Sequence, residues 1–349
     1  MNITCLLSIC ILLIFSNISC AYDYKKSFAV FEIKSKKMIK EKFIKRKVFP
    51  ASLTKILTAH IILRDTKDKN DITTISKKAW GHRFENSSRM FLEPRTEVTI
   101  DSLLKGLLVQ SGNDAAIALA EYHSGSVKKF VREMNKTAQK LGMSGSNFTN
   151  PNGRHNRKHY TTAEDFKKLI IEVDRSTPEI YDYTTIKQYK YNNIIQYNRN
   201  KTLKNDKSIG LKTGFTPQSG FNLASCYKIN NGKLCTLEFG SNSSKSRFIR
   251  SSAALEIFEK QNKVYETPNM PKIIEIENSL YKNITPLKIH TLIKKAELPI
   301  YSIKLETNTC TKVCPAKVIL KTDDKTIIKQ VLLEKLTYKD KYSETTLIK

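Results

Sequence analysis

The hydrophobic period of this chain changes twice along its length, and that order constrains the fold more than any other feature. Residues 27–33 and 37–43 alternate as two strands about a lysine-rich turn, with Phe28, Val30 and Glu32 opposite Ala29 and Phe31. Helical spacing follows over 52–65, behind Pro50, and then over 101–119, 125–141 and 162–171. Asp101 is placed to cap the second of these helices, and Thr162, Glu164 and Asp165 suit the start of the fourth. From about residue 207 the period returns to two. Ile209 to Thr213 reads as a strand, and 221–228 with 233–239 as a hairpin about Asn231-Gly232. Residues 247–264 are helical again. Strands, a helical block, strands and a last helix predict an α+β fold, an antiparallel sheet packed with helices plus a helical subdomain, rather than a doubly wound one. Pro268 and Pro271 mark a boundary. The short alternating runs beyond them, 317–321 and 326–333, predict a small β-rich domain over 266–349.

The first 21 residues carry no charged side chain, and Leu6 to Ser16 is an apolar run shorter than the roughly 20 residues a membrane helix needs. Small residues at Ser19-Cys20-Ala21 complete the pattern of a secretory signal peptide over 1–21. Asn17 disfavours a lipoprotein reading of Cys20. The chain is therefore expected to be exported to the periplasm or cell envelope. Its 60 Lys and Arg against 33 Asp and Glu give a net charge of +27. These cations are spread along the whole chain, with no zinc-finger spacing or RNP-like run, which argues against nucleic acid as the partner. For an exported chain the charge predicts association with an anionic envelope or membrane surface. Cys226 and Cys235 flank the hairpin turn. A two-residue Asn231-Gly232 loop makes them diagonal neighbours, whereas a four-residue loop over 229–232 sets them opposite. Cys310 and Cys314 have no second pair to complete a zinc site, so neither metal nor cofactor is expected.

Three short motifs carry chemistry. In Ser52-Leu53-Thr54-Lys55, helical spacing puts Ser52 and Lys55 on one face. A serine hydroxyl needs a neighbouring base, and a lysine amine serves as one when burial and other cations lower its pKa. In Ser111-Gly112-Asn113-Asp114, glycine disfavours a continuous helix, and a break there turns Ser111 and Asn113 into a cleft. In Lys212-Thr213-Gly214, the glycine at a strand end predicts close approach of another backbone, and Lys212 adds positive potential near Lys55. Each motif alone is weak, but their order and separation are the signature of penicilloyl-serine enzymes.

On these residues the chain, over about 25–262, resembles the low-molecular-mass penicillin-binding proteins, the serine-type D-alanyl-D-alanine carboxypeptidases. The resemblance extends to Pro50-Ala51 ahead of Ser52, to 107–115, Asn150-Pro151-Asn152-Gly153, 162–165 and Asn198-Arg199-Asn200, and to 210–216. It implies a penicillin-binding/β-lactamase-like catalytic domain over 22–265. It further implies Ser52 as nucleophile, Lys55 as base and Ser111 as proton relay. Asn113, Lys212, Thr213, Gly214, Phe215 and Arg247 would bind substrate, with Arg250 as fallback for Arg247. Peptidoglycan stem peptides are the implied substrates and β-lactam antibiotics the implied covalent inhibitors. Rival readings are a transpeptidase or endopeptidase on crosslinks, a class A-like β-lactamase using Glu164 or Glu172, and a non-catalytic wall-binding protein. The first hairpin lacks the family's usual Asp and Gly, and Arg95 stands where glycine is common. Residues 266–349 match the family poorly, and no amphipathic anchoring helix is evident at the end of the sequence.

Overall fold

The computed structural model describes residues 26–84 and 86–263, together with the backbone of four strand segments at 273–276, 302–307, 313–321 and 326–334. The signal peptide expected at 1–21 lies outside the described residues. The chain divides into two compact units, 1–255 and 256–349.

In the first unit, β1 (Ser27–Glu32) and β2 (Met38–Lys42) form the expected opening hairpin. Helix α1 (Thr54–Asp65) follows; its apolar residues are almost all buried. Two three-residue strands, β3 (Ile72–Thr74) and β4 (Glu97–Thr99), pair with each other and were not foreseen, being too short to show a period. Helices α2 (Ile100–Lys105), α3 (Asn113–Ser124), α4 (Val127–Lys140), α5 (Ala163–Ser176) and α6 (Ile180–Thr185) complete the helical block. Thr99, not Asp101, caps α2, because the helix begins one residue earlier than its apolar spacing suggests. The Thr99 hydroxyl accepts from the Ser102 N–H, and Asp101 pairs instead with Lys105 at 2.6 Å. A small hairpin, β5 (Gln188–Tyr191) and β6 (Ile194–Tyr197), turns through Asn192 and Asn193, both at positive φ, as a two-residue hairpin turn demands.

Strands β7 (Ser208–Thr216), β8 (Gly220–Ile229) and β9 (Gly232–Ser241) then join β1 and β2 in a five-stranded antiparallel sheet ordered β2-β1-β9-β8-β7. The opening hairpin thus pairs with a strand some two hundred residues away. The two faces of this sheet follow the period of two. Cys226, Cys235, Leu237 and Phe239 face the core shared with the helical block, where Phe239 meets Phe166 of α5 edge-on at 5.8 Å. Tyr227, Thr236 and Glu238 face helix α7 (Ser244–Lys263), where Ser251 bonds both Tyr227 and Thr236 at 2.7 Å. The register sets Cys226 opposite Cys235, with Ile229 opposite Gly232 closing the turn, and the two cysteines form a disulfide with Cα atoms 4.1 Å apart. The opposed register holds, but through a two-residue Asn230-Asn231 loop, one residue ahead of the expected Asn231-Gly232 turn and shorter than the 229–232 loop, because Ile229 and Gly232 are themselves paired.

The second unit contains the expected β-rich segment. Strands β10 (Ile273–Ile276), β11 (Ser302–Thr307), β12 (Val313–Lys321) and β13 (Thr326–Glu334) form one sheet in that order, parallel between β10 and β11 and antiparallel thereafter.

Arg95 adopts a φ of +67° on the surface. A left-handed conformation costs a side-chain-bearing residue roughly 1–2 kcal/mol, and glycine's larger unfolded-state entropy takes back about 0.5–1 kcal/mol. Arg95→Gly is therefore expected to stabilise the fold by about 0.5–1 kcal/mol, read as a higher urea midpoint. A midpoint at or below that of the parent protein would refute this account of the position.

Candidate active site

Ser52 lies in the 3₁₀ turn Ala51–Leu53 that leads into α1. Two glycines clamp this turn. Gly153, at φ +80°, approaches so closely that a Cβ there would fall 1.8 Å from the Ala51 carbonyl oxygen. On the other side, a Cβ on Gly214 would stand 3.0 Å from the Pro50 oxygen and 3.1 Å from the Ser52 nitrogen. The close approach read from the glycine of the third motif is thus an approach to the serine itself. Asn222, fully buried on β8, fastens the same turn. Its amide donates to the carbonyls of Phe49 (2.8 Å) and Pro50 (3.1 Å), and its Oδ1 accepts from the Gly240 N–H.

One turn beyond Ser52, at the start of α1, the Lys55 amine is fully buried and has three oxygen neighbours. Ser52 Oγ is at 3.0 Å, Asn113 Oδ1 at 2.8 Å and the Asn152 carbonyl at 2.6 Å. Burial lowers its pKa to about 7; the nearby Asp114 carboxylate acts to raise it and the Arg199 guanidinium to lower it. A neutral amine has two N–H bonds and one lone pair. The two carbonyl oxygens can only accept, so they take the N–H bonds, and the lone pair is left facing the Ser52 hydroxyl. Asp114 is itself buried, with its pKa raised by desolvation, and accepts from the N–H groups of Met90, Leu92 and Ala115.

Asn113 reaches Lys55 because the second helical stretch breaks, as expected of Ser111-Gly112-Asn113. After α2 comes a wide π-helical turn over Gly106–Gln110, Ser111 takes φ +69°, and α3 restarts at Asn113. The Asn113 amide also donates to Ser87 Oγ at 2.9 Å. Ser111 is buried at this break, and among the described residues no hydrogen bond joins its hydroxyl to Lys55 or Lys212.

Strand β7, the edge of the sheet, brings the third motif alongside. Lys212 is buried and its pKa is driven well below the usual lysine range, first by desolvation and then by the charges of Lys55, Arg199 and Arg247. Thr213 is buried next to it. Phe215 is half-exposed and stacks on Phe221 at 4.4 Å. Arg247 is buried, and burial lowers its pKa to about 10. Its guanidinium donates to the carbonyls of Gly214 (2.9 Å) and Asn222 (2.8 Å), and its buried Nε has no hydrogen-bond partner. Arg250, the fallback, is bonded to Glu238 and Ser241. Glu172 is bonded to Arg175 on α5, and neither it nor Glu164 is hydrogen-bonded to Ser52 or Lys55. Sequence reasoning missed Asn222, Asp114 and the charge of Arg199 as parts of this site. Arg199 and Asp114 stood in matched segments without a role, and Asn222 had no motif to mark it. Among the described residues no group of side chains is arranged to hold a metal ion.

The sequence profile of the D-alanyl-D-alanine carboxypeptidase family matches residues 23–243. The D-alanyl-D-alanine carboxypeptidase DacA of Haemophilus influenzae is 37% identical over 252 residues, which cover 70% of this chain and 64% of that protein. DacC of Escherichia coli is 34% identical over 66% of this chain and 60% of its own length, so the match spans less than two thirds of these curated relatives. Among solved structures, penicillin binding protein 6B of Escherichia coli is similar with a TM-score of 0.65 and 27% identity, covering 89% of this chain and 94% of that one.

Arg199 is exposed and lies outside the hydrogen-bonded cluster, yet its charge disfavours the protonated Lys55. Arg199→Gln is therefore expected to raise the pH at which Lys55 loses its proton, followed by NMR of the labelled lysine side chain. An unchanged or lower midpoint would show that the guanidinium does not act on this amine.

Proposed function

Since the chain belongs to the D-alanyl-D-alanine carboxypeptidase family, we propose that Ser52 is acylated by peptidoglycan stem peptides and that the enzyme releases their terminal D-alanine. The observation that carries this reading is the buried Lys55 amine, 3.0 Å from Ser52 Oγ and held at 2.8 and 2.6 Å by the Asn113 and Asn152 carbonyl oxygens, so that its neutral form can give its two N–H bonds to the carbonyls and its lone pair to the Ser52 hydroxyl.

A stem peptide adds along the free edge of β7, as extended peptides add to sheet edges. Its terminal carboxylate meets Thr213 in the positive field of Lys212, Arg199 and Arg247. Asn113 donates to a substrate amide carbonyl through its Nδ2. Lys55 takes the Ser52 proton and Oγ attacks the carbonyl between the two D-alanines. The backbone N–H groups of Ser52 and Phe215 receive the oxyanion, each such donor contributing about 3–4 kcal/mol of transition-state stabilisation. Gly214 allows these two N–H groups to converge, because no side chain separates β7 from the serine turn. Ser111, in the cleft opened by the helix break, relays a proton to the departing amine, and water then hydrolyses the acyl-enzyme. Arg247 acts mainly by holding the Gly214 carbonyl and the start of β8, and adds its charge to the site. A β-lactam acylates Ser52 by the same route. The catalytic domain of this reading is 22–265, the β-rich segment 266–349 is a separate domain, and export proceeds through the leader at 1–21. No helix among the described residues is long and apolar enough to cross a membrane.

Ser52→Ala is expected to abolish both D-alanine release and covalent labelling by a fluorescent penicillin; release at the parent rate would overturn the assignment. Adding an acceptor amine separates hydrolysis from transpeptidation, since a transpeptidase would divert the acyl group to it. The pH profile follows from Lys55. Below its pKa of about 7 the amine is protonated and cannot accept the Ser52 proton. Acylation is therefore expected to fall about tenfold for each pH unit below that point and to level off above it. A profile flat from pH 5 to 8 would remove Lys55 as the base.

A further inference from the structure

A cleft of about 450 Å³ opens between the 78–84 turn and the 149–156 loop, with Ile117 of α3 and Val127 of α4 on its apolar side. That volume suits a small ligand group. Its polar lining is one-sided in charge. Lys78, Arg83 and Arg154 all line it and all are exposed, and among the described residues none of the three forms an ion pair. His155, also in the lining, has a buried Nδ1 with no hydrogen-bond partner.

The cleft is built rather than incidental. Asn150 Oδ1 accepts from the N–H groups of Gly153 (2.7 Å) and Arg154 (3.0 Å), and its Nδ2 donates to the Arg154 carbonyl at 2.9 Å. This loop therefore presents Arg154 from a fixed backbone. The same loop touches the reacting pair: Asn152 lines the cleft, and its carbonyl takes the Lys55 amine at 2.6 Å. Asn152 is thus shared between the cleft and the Lys55 contact.

We propose that this cleft is an anionic subsite that holds a second carboxylate of the peptide substrate, on the amino-terminal side of the bond being cut. The proposal rests on the reading of Ser52 as an acylated serine and adds to it the class of peptide preferred. Three cations that form no ion pair among the described residues give a carboxylate charge-assisted partners, and the apolar side accommodates the methylenes that carry it. Because the terminal carboxylate of the substrate is taken up beside Thr213, a second anionic group distinguishes peptides that differ only upstream.

The test uses the whole chain and two synthetic peptides ending in D-Ala-D-Ala. They differ only in the cap on the preceding residue, glutaryl with a carboxylate or pentanoyl without one. The carboxylate-bearing peptide is expected to show a kcat/KM about threefold to fivefold higher, the size of effect typical of ion pairs with exposed cations. In the Arg83→Gln, Arg154→Gln double variant the ratio between the two peptides is expected to fall towards one, and Lys78→Gln should lower it in part. A ratio is used because loss of folded protein lowers both rates alike. Equal rates in the parent protein, or a preference that survives the double variant, would overturn the subsite. Penicillin labelling of Ser52 separates the two levels of the argument. If labelling occurs and the ratio is one, the subsite alone fails; if neither peptide is cut and no label is taken up, the reading of Ser52 fails and the subsite with it.

Discussion

The site depends on one buried amine. Burying a lysine without a carboxylate bonded to it is unfavourable for the charged form, and the molecule meets this by letting Lys55 approach neutrality near pH 7 and by surrounding it with oxygen atoms. The three oxygens come from three separate parts of the chain: the turn ahead of α1, the start of α3 and the loop at Asn152. The break that lets α3 restart at Asn113, the glycine at 153 and the caged carboxylate of Asp114 all serve this geometry. Asp114 and Arg199 act on the same amine with opposite sign, so the position of its titration is a balance between a buried anion and an exposed cation.

The serine turn is held from both sides by backbone. Gly153 belongs to the helical half of the unit and Gly214 to the sheet, and the turn lies between them, with no room for a Cβ at Gly153 and only a tight fit for one at Gly214. Asn222 and Arg247 extend this arrangement. Asn222 ties the turn to β8, and Arg247 ties α7 to the carbonyls of β7 and β8. A rigid support of this kind keeps donors aimed at one point without reorganisation during a reaction.

The net charge of +27 reads differently once the cations are placed. Lys55 and Lys212 are buried with lowered pKa values, and Arg247 is committed to main-chain carbonyls. The exposed cations nearby are others: Arg199, whose charge acts on Lys55 and Lys212, and Lys78, Arg83 and Arg154, which line one cleft. A composition that suggested a general attraction to anions therefore contains both buried cations within the site and a cluster of exposed ones in a single cleft.

By itself the sequence determined the α+β class, the helix that carries Lys55 directly behind Ser52, the break at Ser111-Gly112-Asn113 and the β8–β9 hairpin, although Ser52 itself lies in a 3₁₀ turn ahead of that helix. Each of these is a local pattern, a spacing of three residues, a glycine that disfavours a helix, or a period of two. It left the hairpin register open, because Asn231-Gly232 suits more than one loop length, and only cross-strand packing set Cys226 opposite Cys235. It placed a cap on Asp101 that belongs to Thr99, since helix ends depend on hydrogen bonds that apolar spacing does not encode. Tertiary structure alone decided that the opening hairpin closes against β9, that Asn222 holds the serine turn and that a backbone carbonyl at Asn152 meets the Lys55 amine. A carbonyl oxygen is present at every residue, so no residue type signals it. Its role exists only after parts of the chain about a hundred residues apart have been folded together.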